Sequence, residues 1–63
     1  MTTADAYREG LAYGRRIAEH DDGRQDIEYA LRFVISTYTA PINRDKRARA
    51  VGELRGYRQA RHD

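Results

Sequence analysis

The chain has no cysteine and no tryptophan, and only one proline, one methionine, one phenylalanine and one lysine. Without cysteine, disulfides and thiolate zinc sites are excluded. Those are usual supports of a very short domain, so self-association or docking on a partner is the expected substitute. Long apolar runs are also missing. The longest strongly apolar stretch is Phe33-Val34-Ile35, far short of a signal peptide or a membrane span. A cytoplasmic location with no membrane partner is expected. At 63 residues the chain is one small domain at most, and a chain of this size buries only about 60% of its unfolded surface. Walls for a pocket of about 300 Å³ or more are hard to supply, so an enzyme is not expected.

Charge is abundant: 35% of residues are Asp, Glu, Lys or Arg, with a net charge of +2. It is unevenly placed. Residues 43–62 carry Arg44, Lys46, Arg47, Arg49, Arg55, Arg58 and Arg61 against Asp45 and Glu53, a net +5. Residues 1–42 sum to −2. The C-terminal third therefore reads as a basic arm on a mildly acidic body.

Two breaks divide the chain, Asp21-Asp22-Gly23 and Thr39-Ala40-Pro41-Ile42-Asn43. Between them the apolar residues follow helical periodicity, and no strand pattern occurs. The first helix is expected over about residues 4–20, with Thr2 and Asp5 in a capping pattern. The second is expected over about 23–38, with Asp22 as N-cap and Gln25 as its partner. Ile27, Ala30, Leu31, Val34, Ile35 and Tyr38 form its stripe. Tyr29 and Phe33 widen the apolar sector to roughly two thirds of the circumference. So apolar a helix is expected at the centre of the core and in a dimer. The third helix is expected over about 44–61, after Asn43 as N-cap. Its large apolar residues are only Val51, Leu54 and Tyr57, too few to hold it down alone.

Two small-residue stripes match. Ala6, Gly10, Gly14 and Ala18 recur as Ala48, Gly52, Gly56 and Ala60 at an offset of 42. Arg16, His20 and Asp21 recur as Arg58, His62 and Asp63. A glycine inside a helix costs roughly 1 kcal/mol relative to alanine. Four of them at this spacing make grooves that admit another helix closely, as small-residue repeats do elsewhere.

No constellation for catalysis appears. Ser36 stands alone, and Gly10 and Gly14 are spaced for a helix rather than a phosphate loop. His20-Asp21-Asp22 and His62-Asp63 lack dense metal-ligand spacing and read as helix C-termini. Five tyrosines against one phenylalanine suit surfaces that bury a ring and leave the hydroxyl wet.

The expected architecture is an all-α, three-helix bundle completed by dimerisation. Helix 2 and the small-residue face of helix 1 supply the interface, with Gly10, Gly14, Tyr13, Tyr29 and Phe33 as its residues. The expected role is non-enzymatic protein–protein interaction, as in a small phage or accessory regulator that binds a host protein. No cofactor is implied. Arg44, Arg47, Arg55, Arg58 and Arg61 are the candidates for meeting an acidic protein surface. The alternative is a nucleic-acid-binding module in which those arginines meet phosphates.

Overall fold

The computed structural model describes residues 2–23, 26–38 and 41–62. It is all-α: α1 (Thr3–His20), α2 (Ile27–Thr37) and α3 (Arg44–His62), with a 3₁₀ turn at Pro41–Asn43 leading into α3. No strand occurs among the described residues.

The first helix starts as its sequence dictates. The Thr2 side chain accepts from the Asp5 N–H at 3.1 Å, and the Asp5 carboxylate accepts from the Thr2 N–H at 3.2 Å. Two orphan donors are thereby satisfied reciprocally. The second helix starts later than expected. Asp21 Oδ1 accepts from the Gly23 N–H at 2.9 Å, and Gly23 takes a φ of 78°. That turn holds the chain out of the helical region. The N-cap is Asp26 rather than Asp22, and its side chain accepts from the Tyr29 N–H at 2.9 Å. Gln25, the expected capping partner, lies outside the described residues, as do Thr39 and Ala40 of the second break and Asp63. Asn43, expected as the N-cap of the third helix, belongs instead to the 3₁₀ turn.

The central element is α3, not α2. Both other helices pack on α3, and α1 and α2 have no direct backbone approach to each other. The molecule is accordingly thin, 34 × 20 × 14 Å across its principal axes. The two contacts of α3 differ in kind. Toward α2, Leu54 and Tyr57 join Leu31 in a small cluster edged by Ile17, Ala18, Ile27 and Ile35. Toward α1, the contact is backbone against backbone. A Cβ on Gly10 would fall 2.1 Å from the Arg49 carbonyl oxygen, and one on Gly14 would fall 2.0 Å from that of Glu53. The reverse contacts have the same form, Gly52 on Tyr7 O at 2.3 Å and Gly56 on Leu11 O at 2.2 Å.

These four contacts obey the offset seen in the sequence. Adding 42 to Tyr7 and Leu11 gives Arg49 and Glu53, the residues that Gly10 and Gly14 touch. The pair is parallel and locally two-fold, each stripe seated in the other. Glycine is required there because its hydrogen, where another residue has Cβ, points at a facing carbonyl. The lost helix propensity is offset by this approach. The small-residue face of α1, expected to contribute to a dimer, is therefore occupied by α3 of the same chain.

Gly10→Ala and Gly52→Ala are each expected to destabilise the fold by about 1–3 kcal/mol through overpacking. On propensity alone alanine would stabilise a helix by about 1 kcal/mol. Thermal unfolding followed by circular dichroism gives the sign; a gain in stability at either site would contradict this close approach.

Candidate interaction surface

The stripe of α2 predicts which side turns inward, and Leu31 is its one buried residue, with Ile27, Ile35 and Tyr38 half-buried. The rest of the apolar sector stays outside. Tyr29 is 67% exposed, Phe33 60% and Val34 36%, and Ala30 is exposed between them. One flanking helix cannot cover so wide a sector. At the ends of α2 the polar groups are satisfied locally. Ser36 and Thr37 hydroxyls donate to the Phe33 and Val34 carbonyls at 2.6 and 2.7 Å. Arg47 Nη1 reaches back from α3 to the Ile35 and Tyr38 carbonyls at 3.0 and 3.4 Å.

Although side chains of α1 and α2 share the small cluster on α3, two separate clefts open beside α2. One, about 530 Å³, runs past Tyr13, Arg16, Ile17, His20 and Ile27. Another, about 260 Å³, runs past Val34, Lys46, Arg49 and Glu53. The Arg49 guanidinium, in the lining of the second, lies 5.6 Å from the centre of the Tyr13 ring, in the lining of the first. Arg49 also sits 3.7 Å from Glu9 and 3.6 Å from Glu53. Burial pushes the Glu53 carboxyl above its usual range, and the Arg49 charge pulls the other way.

The five arginines singled out in the sequence do not form one free stripe. Arg47 caps α2, as described. Arg55 donates to the Tyr7 hydroxyl at 3.1 Å. Arg58 pairs with Glu28 of α2. Arg61 donates to the Tyr57 hydroxyl at 2.6 Å and to Asp21 at 3.2 Å. Arg44 alone has no ion-pair or hydrogen-bond partner among the described residues. It borders a separate apolar groove with Ala4, Tyr7, Ala48 and Val51. The dimer residues are divided too: Gly10 and Gly14 are buried against α3, while Tyr13, Tyr29 and Phe33 are exposed.

Sequence reasoning missed the junction of Asp21, Tyr57 and Arg61. The Asp21 side chain is only 7% exposed. It accepts from the Tyr57 hydroxyl at 2.5 Å, tying the end of α1 to α3. That hydrogen bond, then the Gly23 N–H and the Arg61 charge, hold its carboxyl below the usual range. The same bond, with burial, raises the Tyr57 phenol. The His-Asp repeat marked this end of the molecule, but nothing in it indicated a tyrosine partner. Among the described residues no group of three or more His, Asp or Glu side chains is placed to hold a metal ion. No helix among them is long and apolar enough to cross a membrane.

Comparison with known proteins gives no match: no family model, no curated protein and no solved structure resembles the chain at a significant level.

The Asp21 junction makes an acid-side prediction. A carboxyl held low in the folded state contributes stability that is present above its unfolded value, about pH 4, and is lost as pH falls through the folded value. Tyr57→Phe should therefore lower the melting temperature clearly near neutral pH. The difference from the parent chain should shrink below about pH 3. A difference that is constant with pH would show that the phenol does not act through the Asp21 carboxylate.

Proposed function

We propose that this chain is a non-enzymatic protein–protein interaction protein whose working surface is the outer face of α2. The observation that carries the reading is the exposure of Tyr29, Phe33 and Val34 on a helix whose inner face already fills the small core. The chain exposes 4832 Å², whereas a compact monomer of 7.3 kDa exposes about 4,200 Å². The surplus goes with the thin shape of the molecule, 34 × 20 × 14 Å. A small accessory or phage regulator acting on a host protein fits such a surface.

Two occupants suit an interaction surface, a second copy of the chain or a different protein. The nucleic-acid reading needs the guanidinium groups of Arg44, Arg47, Arg55, Arg58 and Arg61 free for phosphates. Four of them hold the chain's own helices together, which weakens that reading.

A surface kept for a partner should be dispensable to the fold. Tyr29→Ser and Phe33→Ser are each expected to change unfolding stability by no more than about 0.5 kcal/mol. Leu31→Ala, one turn away on the buried side, should cost about 2 kcal/mol or more. Chemical denaturation of the three variants distinguishes the cases. Losses at Tyr29 and Phe33 that equal the loss at Leu31 would make this face part of the fold and overturn the proposal.

A further inference from the structure

We propose that the groove between the N-terminal halves of α1 and α3 binds a small amphipathic carboxylate, an aliphatic chain of about eight carbons carrying one carboxylate head. No residue of α2 lines this groove, so the proposal does not rest on the interaction reading above.

The lining explains the chain. The groove is about 570 Å³ and is bordered by Thr3, Ala4 and Tyr7 of α1 and by Arg44, Arg47, Ala48 and Val51 of α3. Ala4 and Ala48 leave space that larger side chains would fill, and Tyr7 and Val51 add apolar surface. Arg55 donates to the Tyr7 hydroxyl at 3.1 Å and lies 6.0 Å from its ring centre. The ring is thereby held in place with its polar atom satisfied. From Arg44 to Val51 the α3 side runs about 10 Å, the length of an extended chain of about eight carbons. Covering this surface with methylene groups removes it from water.

Charge then chooses the head group. Arg44 and Arg47 line the groove, and no acidic side chain does. Arg44 has no ion-pair or hydrogen-bond partner among the described residues. Arg47 donates to the Ile35 and Tyr38 carbonyls and Arg55 to a hydroxyl, so neither of these charges is met by a carboxylate. The neighbouring acids are engaged elsewhere. Asp45 accepts from the Thr3 hydroxyl at 2.8 Å, and Asp5 closes the α1 cap and lies 3.9 Å from Arg8. The clefts beside α2 differ in this respect. Asp21 and Asp22 line one of them with Arg16, and Glu53 lines the other with Lys46 and Arg49. The α1–α3 groove instead joins an apolar lining to uncompensated positive charge. A guanidinium offers paired N–H donors that match a carboxylate, and the one at Arg44 is wholly unengaged. The head therefore belongs at Arg44, with the chain running toward Tyr7 and Val51. A phosphodiester backbone would meet the arginines and leave the apolar lining uncovered.

The test follows the full chain by amide NMR near neutral pH at low salt. The probes are octanoate, octylammonium, octanol and acetate, which separate the charge of the head from the length of the chain. Octanoate is expected to shift the Tyr7, Ala48 and Val51 amides saturably. It should bind at least about tenfold more tightly than octylammonium or acetate, with octanol between. Arg44→Glu should weaken octanoate at least about fivefold. Ala4→Leu, which fills the groove from an exposed helical position, should block it. Circular dichroism of both variants should match the parent chain.

Equal binding of octanoate and octylammonium would overturn the anionic head. Equal binding of octanoate and acetate would overturn the aliphatic chain. The absence of saturable shifts with octanoate, or shifts confined to the clefts beside α2, would overturn the site. A short duplex DNA that displaces octanoate from the same amides would overturn it in favour of nucleic acid. Each of these failures leaves the reading of the α2 face untouched.

Discussion

Backbone contact between α1 and α3 governs the rest of the structure. Gly10, Gly14, Gly52 and Gly56 each point at a carbonyl of the facing helix, so the two helices approach closely along most of their length. Such a contact buries little side-chain area. Among the described residues it leaves Leu31, Leu54 and Tyr57 as the large buried side chains, with Ala6 and Ala50 and a few half-buried neighbours. It also makes the pair parallel, which dictates the route of the chain. An 18-residue α1 is about 27 Å long, and the chain must return over that distance before α3 can start beside the beginning of α1. The return segment is α2. It lies outside the pair as a consequence of connectivity, and that position leaves its outer face open.

The many arginines make sense within this frame. Helices joined by glycine and alanine stripes offer few large side chains to lock their ends. Long guanidinium side chains do that work from the margins. Arg47 caps α2, Arg58 holds Glu28, Arg55 reaches Tyr7, and Arg61 joins Tyr57 and Asp21. Each exposed pair is worth little alone. The Asp21 junction is different in kind, because its carboxylate is nearly enclosed and fastens the end of α1 to α3. Arg16, Arg32 and Lys46 have no ion-pair partner among the described residues, and Arg16 and Lys46 line the clefts beside α2.

Much of the fold was legible in the sequence. The three helices, the Thr2–Asp5 cap and the matched stripes follow from period, capping chemistry and residue size. The offset of 42 proved to be the register in which the stripes meet. What was not legible is which helix is central. Apolar content favoured α2, but α3 has two contact faces, glycine toward α1 and Leu54 with Tyr57 toward α2. Opposed faces cancel in a periodicity count, so α3 looked poorly amphipathic although it is the most contacted element. The start of α2 was misplaced because Asp21, Asp22 and Asp26 are all chemically able to cap. Only the Gly23 turn decides among them. The basic third read as one stripe because a sequence shows the charges and not their partners.

The central claim is that α1 and α3 form the stable unit and α2 is attached to it more weakly. Native-state hydrogen exchange, resolved by residue, tests this directly. The account predicts that amides in the middle of α1 and α3 exchange only through global unfolding. Amides of α2 between Leu31 and Ile35 should exchange through a lower-energy opening that leaves the pair intact. Equal protection across all three helices, or α2 as the most protected element, would contradict it.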